Sequence, residues 1–298
     1  MGIFSTVGFT GGEPLMFANE ILALADILKT KSIPFTIATA AHWASTESAT
    51  NNLVHELHAR GLTRVGISSD PSHQAFVPKV NVIRAARAFA AHGVETHVVG
   101  AFFDDSTTTE SMFPELAEVE GVSFKTHRVC RVGGATKKRL NVSSKATESH
   151  IQGLRCYRSI YHDIVVFHDG KTYPCCSVFN RAARDICLGD ANVDSLRRLY
   201  QRAEGSLLMR ALKRQGFGAA YQVAVSHDPT LASALPKLVD AKDACSLCRD
   251  IFGNRDLARR VHSAFAEEEV DRIVALVRNI ESTLGPSVRD TIIDEVIG

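Results

Sequence analysis

Gly8-Phe9-Thr10-Gly11-Gly12-Glu13-Pro14-Leu15 decides how the rest of the chain is read. A β-branched and aromatic run from Ile3 to Phe9 enters it as a strand. Pro14, suited to a first helical turn, opens a helix that runs to Lys29. Ile21, Leu24, Ala25 and Leu28 fall on one face of that helix at i, i+3, i+4, i+7 spacing. The octet therefore sits where a strand hands over to a helix, the edge at which α/β proteins place ligands. Two adjacent glycines let a ligand approach the backbone without Cβ interference, and Glu13 offers a carboxylate to a cationic group such as an ammonium. A tight turn whose Glu13 merely favours a helix N-terminus accounts for the same residues.

The same alternation continues downstream. Phe35 to Thr39 reads as a strand, a helix carrying Leu53 and Leu57 stops near Gly61, and Thr63 to Ser69 is strand again. Pro78 to His92 brings Val82, Ala86 and Phe89 to helical spacing before Gly93. Val94 to Val99 follows as a strand, connected through Phe102 and Asp104, and Val122 to Val132 adds one more. Successive β-α units of this kind predict a parallel sheet and an α/β fold. Lys137 to Ser149 is polar and aperiodic, which places a boundary there. Three parts follow: residues 1–145 as β/α units, 146–255 as a cysteine-bearing domain, and 256–298 as a helical tail. In that tail Ile273, Val277 and Ile280 share a face, and Gly285-Pro286 divides it. No repeat of solenoid length and no low-complexity tract is visible.

At 298 residues, 45% hydrophobic and 22% charged, the chain has the make-up of a globular protein with one large and one smaller domain. A net charge of +1 supplies no general attraction to nucleic acid or to an anionic membrane, so neither is an expected partner. The longest apolar stretches, such as Ile21 to Leu28, are broken by charge and too short to span a bilayer. No basic segment precedes a cleavable apolar run at the N-terminus, and the chain reads as cytoplasmic. Seven cysteines without an export signal point to metal binding or redox chemistry rather than disulfides.

Cys156, Gly170 and Cys175 form a C-x13-G-x4-C pattern, and Cys245-Ser246-Leu247-Cys248 supplies a C-x2-C pair. A glycine at a hairpin turn lets both strands return to a metal, and a C-x2-C turn presents two sulfurs together. A structural zinc site uses the same ligands and geometry, and spacing does not separate the two. Cys176 and Cys187 are possible substitutes among the ligands, whereas Cys130, at a strand end, reads as a buried core thiol. A redox role for Cys245 and Cys248 requires a helix N-terminus and a lowered thiol pKa. His162 and His168 flank the first hairpin and are assigned no role. Asp70-Pro71-Ser72-His73-Gln74 is the loop best placed for substrate contacts, with His73 reading as an exposed loop histidine.

The octet resembles the segment of radical S-adenosylmethionine enzymes in which a Thr-Gly-Gly-Glu-Pro-Leu-like run after the second barrel strand holds the cofactor's methionine amine. The resemblance implies a (β/α) barrel and gives that role to Thr10, Gly11, Gly12 and Glu13. Thr39-Ala40, Ser68-Ser69-Asp70 and Val98-Val99-Gly100 fall at the following strand ends. There the family lines the ribose and adenine, so Ser68 and Asp70 are implied hydroxyl partners, although either equally caps the next helix. The stretch from Cys156 to Cys175, with Cys187-Leu188-Gly189-Asp190 leading into a helix, resembles the SPASM or Twitch extension of peptide-modifying members. That likeness implies a [4Fe–4S] auxiliary cluster on Cys156, Cys175, Cys245 and Cys248. Asn254 stands where a full SPASM run has its next cysteine, which implies a single cluster, the Twitch arrangement.

By the same resemblance a C-x3-C-x2-C loop after the first barrel strand should hold the catalytic cluster. Only seven residues precede Gly8, and none of the seven cysteines lies before Cys130. The expected architecture is thus a partial radical S-adenosylmethionine barrel missing its first strand, with S-adenosylmethionine binding impaired. Two accounts compete: a reading frame started late at Met1, or a degenerate protein that keeps the scaffold for binding. An exposed edge strand is a cost few folds accept, which favours the first. The implied activity of the complete protein is 5′-deoxyadenosyl radical modification of a peptide or small-protein side chain, served by an external electron donor. A non-catalytic iron–sulfur or zinc scaffold that binds a peptide or partner enzyme is the alternative.

Overall fold

Along Phe35–Thr39 every second residue, Phe35, Ile37 and Thr39, is buried, while Thr36 and Ala38 between them are half-buried. This clean alternation means that one face of the sheet is sealed and the other only partly covered. The computed structural model describes residues 4–103, 106–129, 154–156 and 163–284, and the chain divides into two units, Met1–Leu140 and Asn141–Gly298. Asp104, Cys130, the polar stretch 137–149, His162 and the Gly285-Pro286 break lie outside the described residues.

In the first unit β1 (Val7–Phe9), β2 (Phe35–Thr39), β3 (Leu62–Ser68), β4 (Glu95–Phe102) and β5 (Val122–Arg128) form one parallel sheet in sequential order. The intervening helices α1 (Ala18–Thr30), α2 (Glu47–Ala59) and α4 (Lys79–Ala91) pack into a single core with Phe35, Ile37, Val65, Ile67 and Val98. Sequential order with crossovers of one hand puts successive helices on one face, as in part of a (β/α) barrel. The opposite face carries small or polar half-buried residues, among them Thr36, Ala38, Gly66, Ser68 and Ala101.

A short 3-10 turn, Pro14–Phe17, precedes α1 where a continuous helix from Pro14 was expected. Ile21 and Ala25 of α1 are buried, but Leu24 is 46% exposed. The apolar stripe meets the sheet along one edge only. Strand β4 runs three residues beyond the expected Val99, to Phe102. The short helices α3 (Pro71–Gln74) and α5 (Thr109–Met112) complete the described part of this unit.

Among the described residues of the second unit, β6 (Val165–Val166) and β7 (Lys171–Tyr173) form an antiparallel hairpin, to which β8 (Gly189–Asp190) adds on the β7 side. Helices follow: α6 (Leu196–Gly205), α7 (Leu207–Arg214), α8 (Phe217–His227), α9 (Leu231–Ala234), α10 (Ala244–Phe252) and α11 (Arg255–Leu284). Their shared core contains Leu208, Leu212, Phe217, Leu231, Ile251 and Phe252, and the first turns of α11 enter it through Leu257, Ala258, Val261 and Phe265. Farther along, Val270, Ile273 and Leu276 are more than half exposed. Among the described residues no helix is long and apolar enough to cross a membrane.

Polar clamps fix α11 to α8. Arg260 forks onto Asp228 Oδ2 at 2.8 and 2.7 Å, and His227 Nε2 lies 3.0 Å from Glu268 Oε2. The hydrogen bond to Glu268 raises the His227 pKa, and the same bond, with one from Arg272, lowers that of Glu268. The histidine contribution is complete below its unfolded pKa of about 6.5 and is lost as pH rises through the raised folded value. The glutamate contribution is present above about pH 4.3 and is lost as pH falls through the depressed value. His227→Gln should therefore lower the urea midpoint of unfolding most near pH 5–6 and progressively less as pH rises through the raised folded value. A deficit that stays constant with pH would contradict this.

Candidate functional site

In the first unit the predicted cofactor residues gather at the C-terminal edge of the parallel sheet. Gly11 and Gly12 adopt left-handed backbone, φ 84° and 53°, and an added Cβ at either meets nothing within 4 Å. The backbone between Thr10 and Gly12 is therefore exposed and open to a ligand. Glu13 turns back onto the neighbouring strand. Its Oε1 accepts from Leu15 N at 3.1 Å and from Thr39 Oγ1 at 2.8 Å, and its Oε2 accepts from Ala40 N at 2.6 Å. His42 Nδ1 stands 3.8 Å from Oε2. Glu13 thus caps the Pro14–Phe17 turn and ties the ends of β1 and β2 together. A carboxylate has about four acceptor sites, so Oε2 keeps one for a further donor.

Thr39 is the hub of this edge. Its hydroxyl donates to Glu13 and accepts from Ala41 N and Trp43 Nε1, each at 3.0 Å, which uses every hydrogen-bonding position it has. Ser68, half-buried, ends β3 beside Val99 of β4. Asp70 caps α3: its Oδ1 accepts from Ser72 N at 2.8 Å and His73 N at 3.1 Å. Its Oδ2 lies 2.9 Å from His73 Nδ1. Burial opposes ionisation of Asp70, but the hydrogen bonds from His73 and Ser72 outweigh it and hold the carboxyl below its ordinary pKa. The capping role foreseen for Asp70 is the one its contacts show.

The second unit draws the four predicted metal ligands together. Cys156, Cys175, Cys245 and Cys248 all line one cavity, closed by apolar residues such as Phe179, Ile186, Met209 and Leu212. The space is ≈ 40 Å³, several times the roughly 10–15 Å³ that admits one water. Among the described residues no three His, Cys, Asp or Glu side chains close tightly enough to hold a metal ion as they stand. Cys176 is exposed and Cys187 lies beside the Gly189 carbonyl, 3.5 Å away; neither lines the cavity.

Each of the four cysteines is held by its own set of contacts. Cys156 N donates to Leu212 O at 3.2 Å, and Phe217 N donates to Leu154 O at 2.9 Å, so residues 154–156 are laced to the junction of α7 and α8. Gly216 makes this possible. With φ 89°, it faces a site where a Cβ would stand 2.9 Å from Leu154 O. Gly170, φ 79°, turns the hairpin before Cys175 as the cysteine–glycine spacing predicts. Buried Asn180 then holds Cys175, donating from Nδ2 to its carbonyl at 2.6 Å and accepting from its Sγ at 3.3 Å. Cys245 and Cys248 occupy the first turns of α10, not a free turn, and Asp243 and Ser246 cap that helix reciprocally.

Burial raises the Cys175 pKa to about 11, Cys248 goes well above the ordinary thiol value, and Cys245 rises too; neighbouring thiols add to each shift. Although Cys245 sits at a helix N-terminus, burial raises its pKa despite a hydrogen bond from Ser177 that lowers it, the reverse of what a redox pair requires. A cation bound among these four thiols displaces their protons as it binds, so its uptake is opposed as pH falls. The donor set and the cavity thus fit a thiolate-held metal group.

No protein-family model matches the chain. It is similar to "Putative peptide biosynthesis protein YydG" of Bacillus subtilis (strain 168). The two are 21% identical over 259 residues, which covers 84% of this chain and 77% of that protein. A likeness of that length extends into both units.

Asn180 and Gly216 were not singled out from the sequence. Neither has a local pattern that announces it, because each acts on a cysteine segment that only the fold brings near. Thr39→Val should destabilise the first unit by about 1–3 kcal/mol, since it strands Ala41 N and Trp43 Nε1. Trp43 is the sole tryptophan, so a urea titration followed by its fluorescence reads the loss directly. An unchanged midpoint and emission spectrum would contradict the hub role.

Proposed function

We propose that this chain serves peptide modification as a radical S-adenosylmethionine protein of the Twitch type, with one [4Fe–4S] auxiliary cluster on Cys156, Cys175, Cys245 and Cys248. The observation that carries the reading is the meeting of those four cysteines, drawn from three segments, on one cavity. The likeness to a protein named for peptide biosynthesis supports a peptide as the substrate class. The parallel sheet with its open Gly11-Gly12 edge supports S-adenosylmethionine as the ligand of the first unit.

In this reading Thr10, Gly11 and Gly12 offer backbone groups to the cofactor amine, and Glu13 shapes the turn and presents the remaining acceptor of Oε2 to it. Ser68 faces the ribose from the next strand end but one, while Asp70 orders the loop that follows. In the complete protein a catalytic cluster on a C-x3-C-x2-C loop would donate the electron that cleaves S-adenosylmethionine to the radical, and the auxiliary cluster on this chain's cysteines would supply electron transfer or an iron site for a substrate atom. The apolar wall of the cysteine cavity excludes water from the sulfurs, and Asn180 orients Cys175. An external donor provides electrons.

Anaerobic reconstitution with iron and sulfide, followed by metal analysis, tests this. About four irons per chain are expected. Replacing Cys156, Cys175, Cys245 or Cys248 singly with Ser should cut the iron content severely, whereas Cys176→Ser and Cys187→Ser should leave it intact. One tightly held zinc and no iron would overturn the cluster and make a zinc-binding peptide scaffold the better account.

A further inference from the structure

The open face of the parallel sheet changes character at its last described strand. Phe124 of β5 packs into the helix-covered core, in register with buried Val98 of β4. One step along β5 to either side, Ser123 and Lys125 therefore point to the opposite, open face, and His127 follows them there. Strands β2 and β3 floor that face with Thr36, Ala38, Gly66 and Ser68, which are small and half-buried. Lys125 and His127, both exposed, stand at the border of this shallow floor. In register, Ser68 pairs with Val99 and Val99 with Lys125, so the ammonium is level with the ligand edge, two strand spacings or about 10 Å from Ser68.

Charge on this face is uneven. Its one acid on the described strands, Glu95, pairs in register with Arg64 and lies 2.8 Å from His97 Nε2. Neither Lys125 nor His127 has a side-chain hydrogen-bond or ion-pair partner among the described residues. The face thus offers a cation and a hydrogen-bonding imidazole beside the proposed cofactor edge, with no carboxylate of the sheet to answer them.

We propose that the open face of β5 docks an acidic stretch of the peptide substrate, with Lys125 and His127 receiving its carboxylates. The inference rests on the peptide-modifying reading above and adds the charge of the peptide to it. Lys125 and His127 lie two residues apart on one strand face, about 6.6 Å. Alternate side chains of an extended peptide fall at the same interval, so two acids of such a segment reach both residues at once. Lys125 supplies a charge-assisted hydrogen bond and His127 a second donor. The small residues of β2 and β3 leave room beside them for the part of the peptide that meets the cofactor. A chain of net charge +1 has no general pull on anions, so this local excess is what selects the acidic segment.

The test is fluorescence anisotropy of the full reconstituted chain with an amidated peptide of four Gly-Glu repeats bearing an uncharged dye, beside its Gly-Gln counterpart. The Glu peptide should bind roughly fivefold more tightly than the Gln peptide, the upper end for an exposed ion pair. Lys125→Met and His127→Ala should each weaken the Glu peptide while leaving the Gln peptide alone, and Lys125→Arg should restore it. Lys29→Met, which removes an exposed lysine of α1, should change nothing. Equal binding of the two peptides, no binding of the Glu peptide, or a loss reproduced by Lys29→Met would overturn the docking face. Displacement of the Glu peptide by saturating S-adenosylmethionine would also overturn it, assigning Lys125 to the cofactor's own carboxylate. Iron content of the same samples keeps the two readings apart. A chain that takes up no iron yet still discriminates between the peptides removes the cluster and leaves the docking face standing, whereas full iron without discrimination does the reverse.

Discussion

Four cysteines from three segments meet on one cavity of the second unit, and each segment is held there by its own contacts. A two-residue backbone lacing carries Cys156 to the α7–α8 junction, a hairpin and an asparagine hold Cys175, and a capped helix end delivers Cys245 and Cys248. Each of these devices is small. Each is also fixed by buried hydrogen bonds or by the apolar core behind it, so a sulfur cannot leave without uncovering a polar group or opening the core. Burial keeps the gathered thiols protonated and neutral, so a cation that binds them must displace their protons.

The first unit solves a different problem with the same economy. A parallel sheet sealed on one face by helices leaves its C-terminal edge as the place where backbone groups remain exposed. Glu13 and Thr39 spend their hydrogen bonds on fastening two strand ends. The contacts available to a ligand are thereby shifted from side chains to the Gly11-Gly12 backbone, and a single oxygen of Glu13 remains for it.

Much of this was legible beforehand, for physical reasons that differ by element. Phe35 to Thr39 announced itself because burying one face of a strand imposes a period of two, and the helices before Gly61 and Gly93 ended where left-handed glycines stop them. Leu24 misled because a helical period fixes a stripe but not which edge of it meets the sheet. The cysteines could be grouped by spacing, but the placement of Cys245 and Cys248 on a helix depends on the Asp243–Ser246 cap, a pairing not read in the sequence. Gly216 and Asn180 were not legible, since a close approach and an oriented thiol are properties of contacts between distant segments.

Iron K-edge X-ray absorption of the anaerobically reconstituted chain tests the central claim most directly, because it reports both the ligand atoms and whether metal neighbours metal. A first shell made of sulfur, with iron as the next scatterer, is the predicted result for one cluster held by Cys156, Cys175, Cys245 and Cys248. A spectrum with no iron–iron scattering, or with a shell dominated by nitrogen and oxygen, would contradict it.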